Sequence, residues 1–185
     1  MADSVALPPQ ALEAEMAVLG SMLIERSAVE TALDLIAEAD FYKAAHKKIF
    51  RAIFNLHEAG KAVDMVTVQG ELKRLDWLGE VGGPSYILDL IHSVSTAAHA
   101  EHYARRVHDK ALLRELITTS TKIIEEAHAE ERDPAELLDH AQSRILAVAQ
   151  RQASTGFLAP KKLAHDVVED IERFHSRKNP VTGVS

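Results

Sequence analysis

From Thr96 to Glu131 the chain contains neither glycine nor proline. Apolar residues recur along that run at Ala100, Tyr103, Val107, Ala111, Leu113, Leu116, Ile117, Ile123, Ile124 and Ala127. A helix of roughly thirty-five residues spans about 50 Å, well beyond the usual three or four turns. Asp133-Pro134 follows, an N-cap with proline at the first helical position. The next helix carries Leu137, Leu138, Ala141, Ile145 and Val148 and is expected to end near Gln150. Two long helices joined by a tight turn make an antiparallel hairpin. Such a hairpin cannot bury both apolar stripes by itself; it needs the rest of the chain or a second copy. Self-association is therefore expected, with Leu113, Leu116, Ile117, Ile124, Leu138, Ile145 and Val148 as candidate contacts between copies.

The residues before the hairpin read as five shorter helices. Pro8-Pro9 marks the entry to the first, about 10–24, with Leu12, Met16, Leu19 and Leu23 at helical spacing. Ser27 with Glu30 forms a capping-box pattern for the second, whose inward residues are Val29, Leu33 and Ile36. Asp40 is placed as the cap of a third helix reaching Glu58, with Phe41, Ala45, Ile49, Ile53 and Leu56 on its apolar face. Asp64 caps a fourth, and the stretch Trp77 to Pro84, with three glycines and a proline, is a tight irregular connection. Ser85 to Ile91 is the fifth. Trp77 is read as a lid on the core, whereas Tyr86 fits a core position and a partner contact equally.

The expected fold is all-α. Residues 1–94 form a compact globule and 95–151 the hairpin. A flexible linker covers 152–159, and 160–178 is a separate linker helix with Leu163, Val167, Ile171 and Phe174 on one face. Residues 179–185 read as the doorway to another domain. An amphipathic helix tethered in this way is expected to dock on a partner domain or subunit.

Composition narrows the function. The chain has no cysteine, which excludes a disulfide scaffold and a cysteine-type zinc finger and suits a reducing cytosol. No apolar run reaches the length of a membrane span, and Met-Ala-Asp-Ser lacks the pattern of a signal peptide. A cytoplasmic protein without membrane partners is the expectation. Net charge is −7, and residues 1–100 hold 8 Lys/Arg against 14 Asp/Glu. An acidic globule is poorly suited to gripping a phosphate backbone. Neither Gly-x-x-x-x-Gly-Lys-[Ser/Thr], nor Gly-x-Gly-x-x-Gly, nor Gly-x-Ser-x-Gly occurs. No catalytic, cofactor or metal residue is therefore assigned, and any catalytic activity is expected to lie outside these residues.

Chemistry-bearing clusters are outweighed by simpler readings. His99 and His102 have zinc-like spacing, but position 106 is arginine and a third ligand is wanting. His165, Asp166 and Glu169 fit the exposed face of the linker helix. Glu125-Glu126 and Glu130-Glu131 read as solvated runs, and Lys161-Lys162 and Arg177-Lys178 are too short to make a nucleic-acid patch.

The order of motifs resembles the N-terminal region of the bacterial replicative DNA helicases, the DnaB family. The segments that carry the resemblance are Pro8 to Gly20, Asp40-Phe41-Tyr42 with His46 to Phe50, Asp64 to Val68, and Gly82 to Tyr86. They continue with Arg105-Arg106-Val107, Leu113 to Ile117, Ile171 to Lys178, and Thr182 to Ser185. The resemblance implies a globule and hairpin whose hairpins pair into dimers. Three dimers form a collar on a hexameric ring that recruits primase, and the linker helix docks on the neighbouring subunit's RecA-type motor. It implies ATP and Mg as cofactors of the parent protein's motor, single-stranded DNA as a partner only through that motor, and a helicase loader as a further candidate partner. The positions matching the primase contact are Glu13, Glu80, Tyr86, Arg114, Ile117 and Ile123. From pattern alone, a helical dimerisation adaptor unconnected to replication stands as the alternative.

Overall fold

The computed structural model describes residues 7–94 and 96–154. Among these, seven α-helices and two short 3₁₀ turns carry the fold: α1 Leu12–Ile24, α2 Arg26–Leu35, α3 Ala44–Glu58, α4 Met65–Arg74, α5 Gly83–His92, α6 Ala100–Ala129 and α7 Pro134–Ser154. The linker, linker helix and following residues expected after Ser154, with Leu163, Val167, Ile171 and Phe174, lie outside the described residues.

The sequence of α1 departs from a single apolar stripe. Ala14, Ala17, Val18, Leu19, Met22 and Leu23 are all buried, together with Gly20, Ser21 and Glu15. A helix apolar on most of its circumference belongs in the middle of a core, and α1 packs on α2, α3, α5 and α6. Gly20 permits this. A Cβ there would stand 2.1 Å from the Leu90 carbonyl oxygen and 2.7 Å from a Val94 methyl, so α1 and α5 approach backbone to backbone. Around α1 the core collects Val29, Ile36, Phe41, Ile49, Ile53, Val68, Leu72, Ile87 and Leu90.

Several helix starts differ from the expected ones. Asp64 caps α4 as its sequence suggests, accepting from the Val66 and Thr67 N–H groups at 2.8 Å each. These bonds to the charged form hold the Asp64 carboxyl below its usual value. Ser27 lies inside the first turn of α2, and its hydroxyl donates to Glu25 rather than accepting a helix N–H. Asp40 belongs to the 3₁₀ turn Glu38–Asp40, not to α3. It is buried and accepts the Ala37 N–H at 2.9 Å. The start of α3 is stabilised from another helix: Glu15 of α1 accepts the N–H groups of Tyr42 at 2.7 Å and Lys43 at 3.3 Å. Local sequence cannot reveal a cap that arrives from 27 residues away.

The hairpin is anchored at one end. Ala100, Ala104, Val107, His108 and Ala111 at the start of α6 are buried, with Ala104 and Val107 in the globule's core. Arg114 continues the anchor, donating to the carbonyls of Pro9, at 2.8 Å, and Asp40. Beyond it α6 leaves the globule and packs on α7. Glu126 of α6 ties the two helices through Arg144 at 2.8 Å and His140 at 3.2 Å. Burial pushes the Glu126 carboxyl up, but the bonds and charges of His140 and Arg144 outweigh it and hold the carboxyl below its usual value. The Asp133 carboxylate caps α7 at the Ala135 N–H, 2.9 Å. The helix then runs past Gln150 to Ser154.

Candidate functional site

Two surfaces gather the residues that the sequence singles out. One is the outer face of the hairpin. Leu113, Leu116, Ile117, Ile124, Leu138 and Ile145 are all exposed, Ile124 by 57% and Leu138 by 70%. Leu146 joins them, while Ile123 and Val148 are half-buried. Single exposed leucines need no explanation, but here exposed leucines and isoleucines recur along both arms of one hairpin.

The other surface lies where α5, the start of α3 and the connection before α5 meet. Gly82, with φ +104°, starts α5 in a conformation that favours glycine, and its Cβ position lies 2.9 Å from Cβ of Tyr86. The Tyr86 ring packs against the core and is half-buried. Its hydroxyl lies 2.7 Å from Nε2 of His46 and accepts from Nζ of Lys43 at 2.7 Å. The Lys43 ammonium stands 4.2 Å from the centroid of the same ring. The other nitrogen of His46, Nδ1, lies 2.7 Å from Oε2 of Glu15. His46 and Glu15 are buried almost completely. A short relay therefore runs from Glu15 on α1, through His46 on α3, to the Tyr86 hydroxyl. Beside it, Lys48 pairs with Glu80 and lies over the ring of Trp77, which is half-buried against the core.

The six positions matched to a primase contact thus fall into different settings. Glu13 is exposed on α1. Glu80 is exposed and paired with Lys48. Tyr86 is held at both ends, by the core and by the relay. Arg114 is bonded to backbone carbonyls within the chain and lies 5.7 Å from the Tyr42 ring centroid. Ile117 and Ile123 sit farther along α6. Sequence reading did not find the buried partners of Tyr86. The available signal was Glu15, which with Glu13 opens α1 directly before the apolar run Met16 to Leu19, since a carboxylate carried into a core requires donors. It likewise missed a groove of about 630 Å³ between α2 and α3, floored by Leu33, Ile36, Phe50 and Phe54 and edged by Glu38, Lys47 and Arg51. Of the histidines with zinc-like spacing, His99 and His102 are exposed, His99 in the turn before α6, while His108 farther along α6 is buried 3.5 Å from Asp40.

Comparison with known proteins gives this arrangement a context. The family model of the DnaB-like helicase N terminal domain matches residues 7–109. The replicative DNA helicase DnaC of Bacillus subtilis (strain 168) is 42% identical over 178 residues, which are 96% of this chain and 39% of that protein. The replicative DNA helicase DnaB of Geobacillus stearothermophilus is 40% identical over the same shares. The chain therefore spans about two fifths of the length of these relatives. The crystal structure of the N-terminal domain of DnaB helicase from Mycobacterium tuberculosis superposes with a TM-score of 0.72 at 41% identity, covering 76% of this chain and 99% of that one. A structure of a DnaB-like replicative helicase, described with its interactions with primase, shares the fold at TM-score 0.63 and 21% identity, covering 95% of this chain and 37% of that one. With more than half of its residues inside the family model and a solved family domain matched over almost its whole length, the chain belongs to the DnaB-like helicase N-terminal domain family.

Proposed function

We propose that this chain is the assembly and recruitment domain of a replicative helicase. Its hairpin pairs with that of a second copy, dimers join into the collar of a hexameric ring, and the junction of globule and hairpin receives primase. The observation that carries this reading is the exposed apolar face on both arms of a hairpin whose base is locked into the globule. Without a second copy, Leu116, Ile117, Ile124, Leu138 and Ile145 leave a large apolar area in water. Family membership favours this reading over a free-standing adaptor. ATP, Mg, DNA unwinding, contact with single-stranded DNA and docking of a linker helix on a neighbouring motor are assigned to the longer parent protein. The 185 residues contain no phosphate loop. A helicase loader is a further proposed partner of the assembled ring.

Sedimentation equilibrium at high micromolar concentration tests the pairing. The wild-type chain should associate. Ile117→Asp should shift it towards monomer by roughly tenfold or more in dissociation constant, because pairing then buries an unpaired carboxylate. A wild-type chain that sediments as a monomer at those concentrations removes the reading.

A further inference from the structure

We propose that His46, buried behind the primase-facing surface, sets the hydrogen-bonding polarity of the Tyr86 hydroxyl, and that in its protonated state Tyr86 donates to an acidic group of the partner. The inference rests on the reading of this surface as the primase site; the relay itself stands on the geometry of the chain.

The argument is one of hydrogen accounting. A tyrosine hydroxyl has a single hydrogen. The Lys43 ammonium can only donate, so the Tyr86 oxygen accepts from it. The Glu15 carboxylate can only accept, so Nδ1 of His46 carries a hydrogen directed at it. The same carboxylate is fixed by the Tyr42 and Lys43 N–H groups, which orient the imidazole from behind. Only Nε2 of His46 is variable. In neutral His46, Nε2 is bare and takes the Tyr86 hydrogen at 2.7 Å. The hydroxyl then has no hydrogen to offer outward. In the imidazolium, Nε2–H donates to the Tyr86 oxygen, which already receives Lys43, and the hydroxyl hydrogen turns to the surface.

His46 is faced by Glu15 from α1, by Tyr86 from α5, and by Lys43 at the start of its own helix. Its ring is buried completely. Tyr86 is half-buried and Lys43 is exposed. Lys43 sets an ammonium beside the Tyr86 hydroxyl and over its ring. That cation favours a carboxylate on the partner, the group that needs a donor from Tyr86. His46 and Glu15 are positioning residues here; Tyr86 makes the contact.

The test is a titration of the 185-residue chain with its cognate primase by calorimetry between about pH 8 and pH 5.5. Wild-type affinity should rise on acidification, by roughly tenfold, the value of one charge-assisted hydrogen bond. Tyr86→Phe keeps the ring but has no hydroxyl, and should bind at all pH values with the weaker, high-pH affinity. His46→Gln, whose amide can donate to the Tyr86 oxygen without titrating, should bind with a flat profile. A Tyr86→Phe chain that follows the wild-type pH profile overturns the proposal, as does a flat wild-type profile with measurable binding. If primase does not bind at any pH, the functional reading falls and the relay is decided in the free chain. In that case, ¹³Cζ of Tyr86 moving together with the His46 ring nitrogens in an NMR titration upholds the relay, and independent behaviour overturns it.

Discussion

The globule and the outer hairpin use the same residue types in opposite ways. In the globule Leu19, Met22, Phe41, Ile49, Ile53, Leu72, Ile87 and Leu90 have no measurable exposure. In α6 beyond Ala111, and in the described part of α7, every leucine and isoleucine is at least partly open to solvent. Both regions are helical and both are rich in aliphatic residues. The difference lies in partners. The globule wraps α1 on several sides, whereas each hairpin arm has one neighbour in the described chain beyond the anchor at Arg114. Burial thus identifies which part of the molecule is stabilised by its own chain and which part leaves its apolar side chains open to solvent.

The largest effect that would test this comparison is Phe41→Ala. Phe41 is fully buried and packs on the ring of Phe50 at 5.0 Å between centroids. Truncation should lower unfolding free energy by about 3–5 kcal/mol, measured by urea denaturation of a dilute sample. A loss below about 1 kcal/mol would mean that the globule does not form a unified core.

Glu71→Gln probes a polar tie inside the globule. Glu71 of α4 accepts two bonds from Arg74, each 2.8 Å, and one from Asn55 of α3 at 3.2 Å. The Arg74 hydrogen bonds, helped by Asn55 and opposed by burial, bring its carboxyl down to about 2. The tie is therefore fully present above about pH 4.5 and is lost as pH falls towards 2. Arg74 is exposed, so solvent screens the pair, and the substitution should cost about 1–2 kcal/mol at neutral pH. Acid titration of stability should show the gap between the two proteins closing below pH 4.5. A gap that stays constant to pH 2 would show that Glu71 acts through packing and not through its charge.

The smallest effect is expected at Ile124, an aliphatic residue that is 57% exposed. Ile124→Ala should change the stability of a dilute monomer by less than about 0.5 kcal/mol, while raising the dissociation constant for self-association. Thermal melts at low and high concentration separate these: wild type should gain stability with concentration and the variant should gain less. Equal, concentration-independent melts would place the apolar face outside any interface between copies.

The all-α fold, the long α6, the proline start of α7 and the Asp64 cap were legible in the sequence because each depends on local signals. A long run without glycine or proline leaves a helix uninterrupted, proline suits a first helical position, and a carboxylate one residue before a helix finds its donors within three residues. The apolar face of the hairpin was legible too, since helical periodicity places Ile117, Ile124, Leu138 and Ile145 without knowledge of the rest. Only the tertiary structure decided that Asp40 turns inward and does not cap α3, that Glu15 caps it from α1, and that Arg114 reaches the carbonyls of Pro9 and Asp40. It also decided that Tyr86 is both a core residue and a surface residue, because its ring and its hydroxyl answer to different neighbours. The contacts made by Glu15, Arg114 and the Tyr86 hydroxyl join residues from 27 to 105 positions apart. Which distant donor meets which acceptor depends on how α1, α3, α5 and α6 pack, and no local pattern encodes that choice.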